Sequence, residues 1–165
     1  MSAEGAGAAG GAFEARLAEL GIELPDVVPP VAAYVPTVAS GSHVYTSGQL
    51  PFVSGALPAT GKVGDGHGLV PADDAKAYAR TCVLNGLAAI RAEIGSLDRI
   101  TRVVKVVGFV ASDPSFTGQP GVINGASELL GEIFGDAGRH ARSAVGVAVL
   151  PLDSPVEVEL VVEFA

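Results

Sequence analysis

The chain contains few of the residues that several common functional classes require. Cys82 is the single cysteine among 165 residues. This excludes an internal disulfide framework and fits a reducing compartment, so we expect a cytoplasmic protein. No apolar run is long enough to cross a membrane, and the N-terminus lacks a basic region followed by an apolar one. His43, His67 and His140 lie in separate segments without the spacing of metal ligands, so we expect no metal site.

Basic residues are also scarce. The 10 Lys and Arg residues are outnumbered by 18 Asp and Glu residues, which gives a formal net charge of −8. Nucleic-acid binding depends mostly on cationic contacts with phosphates, so this balance argues against a nucleic-acid partner. It leaves room for a small anion held by one local arginine.

Small apolar residues are abundant. The sequence is 48% hydrophobic but only 5% aromatic, and it contains 22 Gly and no Trp, which predicts a core of Val, Ala and Leu. The Ala/Gly-rich segment 1–11 is expected to be disordered. The remaining residues, 12–165, are long enough to form one domain with a substantial core.

The order of the elements predicts an α+β fold. Helical spacing of apolar residues indicates a short accessory helix from Phe13 to Leu20, expected to cover a sheet edge, and two long helices. The long helices are predicted at Asp73 to Ile94 and at Val122 to Phe134. Strands are predicted at Val31 to Val38, His43 to Ser47 and Ile100 to Val110. We expect the two long helices to pack on one face of a mixed sheet.

The C-terminal region has two alternating runs, Arg139 to Pro151 and Pro155 to Phe164, which predict a β-hairpin. Alternation separates a branched face from a small face on each run. We expect the branched faces, which include Val145, Val147 and Val149, to lie against the helices. The small face of the first run carries Arg142, Ala144 and Gly146. It is either solvent-facing sheet or a surface approached by another backbone, where Arg142 meets an anion.

Three further residues could take part in chemistry. Ser47 and Gly48 follow a strand and could offer a hydroxyl and an accessible backbone N–H to a ligand, although the same pair could be a simple turn. Asn124 near a helix start can cap the helix or reach outward. Cys82 lies on the core-facing stripe of the first long helix, which favours a buried hydrophobe over a nucleophile.

These motifs together resemble the RidA/YjgF family. The residues that carry the resemblance, in order, are Tyr34, Thr46-Ser-Gly-Gln-Leu-Pro51, Asn124, Ala141-Arg-Ser-Ala-Val…Leu-Pro151 and Val156-Glu-Val-Glu159. Each motif is weak alone, but their order and spacing from about Val31 to the C-terminus are fairly specific.

The resemblance implies a chorismate-mutase-like homotrimer with ligand clefts between subunits. It also implies cofactor-free hydrolysis of 2-aminoacrylate-type enamines and imines to 2-keto acids and ammonia. By matching positions, the resemblance implies that Arg142 binds the substrate carboxylate and that Glu157 activates the water or transfers the proton. The substrate-binding residues implied are Tyr34, Ser47, Gly48, Asn124, Arg142 and Ala144.

Two positions depart from the family pattern, and they keep an alternative open. Ala144 and Gly146 stand where the family often has Cys and Glu. A cleft reshaped in this way could bind 2-keto acids without turnover, as a metabolite sensor or partner of another enzyme. Ribonuclease activity, attached to some relatives, is disfavoured by the acidic balance. A hairpin turning at residues 152–154 would place Arg142 opposite Glu163, so Arg142 and Glu157 would come from different chains or from a bent strand.

Overall fold

A computed structural model describes residues 12–27 and 32–165. The expected disordered tail, residues 1–11, and Val31 at the start of the first predicted strand lie outside the described residues. The helices are α1 (Ala12–Glu19), α2 (Ala72–Ile94) and α3 (Gln119–Phe134). The strands are β1 (Thr37–Ser40), β2 (His43–Thr46), β3 (Ile100–Ala111), β4 (Ala141–Val147) and β5 (Val156–Phe164). The α+β class is confirmed, whereas the first strand lies C-terminal to most of its predicted range.

The five strands form one mixed sheet in the order β1-β2-β5-β3-β4. Strands β1, β2, β5 and β3 pair antiparallel, while β4 pairs parallel with β3 at the sheet edge. The predicted C-terminal hairpin is therefore wrong. Strand β3 lies between β4 and β5, because α3 forms a crossover that returns the chain parallel to β3. Alternating sequence predicts strands, but it does not say which strands are neighbours.

Helices α2 and α3 cover one face of the sheet. Strand β5 presents an apolar row to them, and Val156, Val158, Leu160 and Val162 are all fully or almost fully buried. Helix α2 ends at Gly95, whose positive φ of 89° is a left-handed cap conformation that glycine adopts without strain. Two long helices on one sheet face were predicted, and this arrangement is confirmed.

The two faces of strand β4 are reversed relative to the prediction, which had placed its valines against the helices. Ala144 pairs with Gly108 of β3, and a β-carbon on Gly108 would collide with Ile123 of α3. The small face of β4 therefore lies on the helix side, while Val145 on the other face is 44% exposed. The reason is close approach: α3 sits near β3 and β4, where only small residues leave enough space.

Helix α1 is held against the end of α3 and the 3₁₀ turn Leu97–Arg99, not against a sheet edge as expected. The Asp98 carboxylate accepts hydrogen bonds from the backbone N–H groups of Phe13 and Glu14, both at 2.9 Å. The Phe13 ring meets the Phe134 ring edge-on with centroids 4.8 Å apart. An acidic side chain at a helix N-terminus satisfies donors that have no partner within the helix.

No element of residues 12–27 and 32–165 covers the sheet face away from the helices. It exposes large apolar side chains, including Val38 and Tyr45 from the β1–β2 edge and Val145 from the β4 edge. Glu157, Glu159 and Glu163 lie on the same face of β5. In the described part of the chain, no helix is both long and apolar enough to span a bilayer.

Replacing Gly125 by Ala should destabilise the fold. A β-carbon at Gly125 would collide with the backbone carbonyl of Lys76, which cannot move without shifting α2. We expect a loss of about 1–3 kcal/mol in the free energy of unfolding, measured by urea denaturation. Gly131→Ala in the same helix is the matched control, because nothing lies within 4 Å of its added carbon. It should be neutral or stabilise by about 0.5–1 kcal/mol, and equal effects of the two substitutions would contradict the close helix contact.

Candidate functional site

Arg142 and Asn124 meet on the helix side of the sheet edge. Arg142 pairs with Val106 of β3, whose side chain is fully buried under the helices, so Arg142 leaves the same face. Its Nη1 donates to Asn124 Oδ1 at 2.8 Å. Asn124 lies in the second turn of α3, since that helix begins at Gln119, three residues before its predicted start. Two predicted site residues that are 18 positions apart in the sequence are thus brought into direct contact.

Ser127 and His140 complete this group, and the sequence did not identify Ser127. Arg142 Nη1 also donates to Ser127 Oγ at 3.2 Å, and Ser127 Oγ lies 2.9 Å from His140 Nε2. His140 is therefore partly buried and hydrogen-bonded on both ring nitrogens, and it is not a solvated loop residue. The signal for Ser127 was its position three residues after Asn124, because side chains at that spacing share one helix face.

Arg142 keeps part of its guanidinium without a protein partner. Within the described residues its hydrogen bonds all leave from Nη1, and it takes part in none of the salt bridges there. A guanidinium offers a second pair of parallel N–H groups along its Nε and Nη2 edge. That edge matches a carboxylate in bidentate geometry.

Glu157 and Gly48 form a second group on the opposite face. The segment after β2 pairs with β5 through reciprocal backbone bonds between Gln49 and Val158, at 2.8 and 3.0 Å. This places Gly48 beside Glu157, whose carboxylate occupies the space that a β-carbon on residue 48 would need. A side chain at position 48 would therefore have to displace the carboxylate of Glu157 from its present place.

The environment of Glu157 favours its protonated form. Partial burial raises the pKa of its carboxyl above the usual value, and the neighbouring charge of Glu159 raises it further. A carboxyl with a raised pKa is better suited to accept and return a proton near neutral pH than an ordinary exposed one.

Ser47 precedes Gly48, and its hydrogen bonds hold the segment that contains Tyr34. The Ser47 hydroxyl donates to the carbonyl of Val35 at 2.6 Å, and its backbone N–H donates to the carbonyl of Pro36 at 2.8 Å. Ser47 therefore anchors the preceding segment, while its oxygen keeps a lone pair for another donor. Tyr34 in that segment is 57% exposed.

The two groups do not meet within one chain. Arg142 lies opposite Val106 on one side of β3, whereas Glu157 lies opposite Phe109 on the other side. Positions 106 and 109 point to opposite faces of β3. The predicted pairing of Arg142 with Glu163 is wrong, because Glu163 is next to β2 and β3. The sequence also suggested that Arg142 and Glu157 are apart within one chain. They are apart, but the cause is that they lie on opposite faces of the sheet with β3 between their strands, and not the register of a hairpin.

The departures from the family pattern lie beside the Arg142 group. Ala144 follows Arg142 on the same face of β4 and is partly buried. At Gly146 an added β-carbon would lie 2.8 Å from Gln119 Nε2 and 3.1 Å from Ser112 Oγ. The space that a side chain would take at 146 is therefore filled by this chain's own Gln119.

Cys82 and the histidines add no second centre. Cys82 is fully buried, and burial together with the charge of Glu157 raises the pKa of its thiol, so it lacks the thiolate character of a nucleophile. Residues 12–27 and 32–165 contain no cluster of three His, Cys, Asp or Glu side chains able to hold a metal ion.

The family assignment rests on both sequence and structure. A family model described as "YjgF/chorismate_mutase-like, putative endoribonuclease" matches residues 14–164. The chain belongs to the YjgF/chorismate mutase-like family. The match also includes most of α1, which lies outside the region that carried the resemblance.

Three proteins illustrate what this chain is similar to. Protein TCP17 of Trypanosoma cruzi is 46% identical over 156 residues, covering 94% of this chain and 96% of that protein. The crystal structure of Atu1372 from Agrobacterium tumefaciens, a protein of unknown function, is 46% identical with a TM-score of 0.84, covering 93% of each chain. The crystal structure of E. coli TdcF with bound serine is 25% identical with a TM-score of 0.60, covering 84% of this chain and 94% of that one.

Glu157→Gln should stabilise the protein at neutral pH. A carboxyl whose folded-state pKa is raised contributes stability below its unfolded-state pKa and loses that contribution as pH rises through the folded-state pKa. The uncharged amide avoids this loss. We expect a higher Tm than wild type at pH 7 and equal Tm values below about pH 4. Glu23→Gln, an exposed site, is the control, and a Tm difference independent of pH would contradict the raised pKa of Glu157.

Proposed function

We propose that this chain hydrolyses reactive enamine and imine intermediates of the 2-aminoacrylate type to 2-keto acids and ammonia. The observation that carries the proposal is the oriented guanidinium of Arg142, held at Nη1 by Asn124 with its other edge unpaired within the described residues. A bidentate contact with a carboxylate would fix the orientation of a small planar substrate. TdcF, a relative with the same fold, holds serine, an amino acid with a carboxylate of this kind.

The reaction needs a proton acceptor but no redox step. Water attacks the carbon of the C=N bond while Glu157 accepts a proton from that water. Glu157 returns this proton to nitrogen, which gives a carbinolamine with a hydroxyl and an amino group on the same carbon. Glu157 then moves the hydroxyl proton to nitrogen, so that the C–N bond breaks, ammonia leaves and the carbon–oxygen bond becomes the carbonyl of the 2-keto acid. General base assistance of this kind contributes about 10²–10⁴-fold to a rate. The partly buried carboxyl of Glu157, with its raised pKa, supports this role.

The site would be completed between copies of the chain. Arg142 and Glu157 lie on opposite faces of the sheet, so one chain alone does not place both around one small substrate. The uncovered sheet face, with exposed Val38, Tyr45 and Val145, supports burial in a symmetric homo-oligomer. The homotrimer implied by the family resemblance would bring the Arg142 group of one copy to the Glu157 group of the next.

Arg142→Ala should abolish hydrolysis. The assay generates 2-aminoacrylate from serine with a dehydratase, traps the imine with semicarbazide and measures how far the protein lowers the trapped product. Arg139→Ala is the matched control, because Arg139 is three residues away, highly exposed and paired only with Asp136. Wild type and Arg139→Ala should compete with trapping, whereas Arg142→Ala should not. An active Arg142→Ala protein would exclude the proposed carboxylate contact.

Glu157→Gln should separate catalysis from binding. We expect a fall of about 10²–10⁴-fold in kcat with little change in KM, because the carboxylate would move the proton but not hold the substrate. Glu159→Gln, two residues away on the same face, should retain most of the activity. If wild type binds pyruvate by calorimetry but never competes with trapping, the protein is a carboxylate-binding module and not a hydrolase.

A further inference from the structure

We infer that Ser127 and His140 are positioning residues that orient the Arg142 guanidinium, so that its Nε and Nη2 edge faces the carboxylate. This inference rests on the proposed carboxylate-binding role of Arg142. Ser127 and His140 thereby gain a positioning role, although neither is a predicted site residue and neither takes part in the proposed proton transfer.

The hydrogen bonds have one consistent direction when the imidazole is neutral. The Gly138 carbonyl can only accept, so His140 Nδ1, 2.6 Å away, carries the hydrogen. His140 Nε2 is then an acceptor and takes the Ser127 hydroxyl hydrogen across 2.9 Å. The Ser127 oxygen is left to accept from Arg142 Nη1, since a guanidinium can only donate. Each hydrogen in this series of hydrogen bonds, from Arg142 to the Gly138 carbonyl, is therefore assigned to one donor.

Two acceptors fix one end of the guanidinium. Nη1 has two hydrogens, and Asn124 Oδ1 and Ser127 Oγ each accept one of them. Rotation about the Nε–Cζ or Cζ–Nη1 bonds would break at least one of these contacts. Because both acceptors lie at Nη1, the edge formed by Nε and Nη2 is the one presented to a ligand.

The series of hydrogen bonds ends at the Gly138 carbonyl, which is held firmly by its packing against α3. Gly138 is buried, and a β-carbon there would collide with the backbone carbonyl of Leu130 in α3. His140 is thus fixed to the C-terminal end of α3, while Asn124 and Ser127 lie in its middle. A binding group supported by side chains on a packed helix loses less conformational entropy when the ligand arrives.

The test combines a spectroscopic and a binding measurement on the full-length protein. Separate ¹⁵N–¹H signals of Nη1 and Nη2, assigned by their loss in Arg142→Lys, report restrained rotation of the guanidinium. The Kd of pyruvate, a 2-keto acid, reports carboxylate binding. The variants are Ser127→Ala and His140→Ala, with Ser127→Thr and His140→Gln as conservative replacements that keep a hydroxyl or an acceptor. Thr81→Ala is the control, a hydroxyl on α2 bonded to its own helix at the Ala77 carbonyl.

We expect separate Nη signals in wild type that merge in Ser127→Ala, together with a pyruvate Kd weakened about tenfold. His140→Ala should act in the same direction, and both conservative variants should recover most of the affinity. Unrestrained rotation in wild type, or a Ser127→Ala protein that binds pyruvate as wild type does, would overturn the inference. Restrained Nη signals in a protein that neither binds pyruvate nor hydrolyses imines would support the positioning and contradict the proposed function instead.

Discussion

The parallel pairing of β4 with β3 is the constraint on which the site depends. Strand β4 can lie there only because α3 crosses the sheet and returns the chain in the same direction as β3. The crossover places the middle of α3 above the start of β4, so that Asn124 and Ser127 reach Arg142. It also brings α3 close to the sheet at Gly108, the β3 partner of Ala144, where an added β-carbon would collide with Ile123.

The same topology distributes the chemistry over two separate groups. The positive group lies at the β4 edge on the helix side, while the acidic group of Glu157 and Gly48 lies on the open face beside the segment that follows β2. Both are held in place. Arg142 donates hydrogen bonds to Asn124 and Ser127 of α3, and Val158, the neighbour of Glu157, exchanges backbone hydrogen bonds with Gln49. The two groups lie on opposite faces of the sheet in one chain. This arrangement is expected if the symmetry of an oligomer places the Arg142 group of one copy beside the Glu157 group of another.

Much of this arrangement could be predicted from sequence, because periodicity reports which faces are apolar. The long helices, β3 and the buried row of β5 follow directly from that pattern. Strand neighbours could not be predicted in the same way, so β4 was paired with β5 and its valine face was assigned to the helices. The contact of Arg142 with Asn124 joins residues 18 apart in sequence, and its geometry is a product of tertiary packing. Ser127 was missed because its signal, the spacing of three residues from Asn124 on one helix face, becomes informative only once Asn124 is known to contact Arg142.

The measurement that tests the account most directly uses mixed oligomers of two inactive chains. Arg142→Ala and Glu157→Gln chains with different tags are produced together, and oligomers that contain both are purified and tested for competition with imine trapping. If each site of the proposed homotrimer takes its arginine from one copy and its glutamate from the next, one of the three sites in every mixed trimer should contain both groups, and activity absent from either parent should return. Mixed oligomers of normal mass without activity would contradict a site shared between chains.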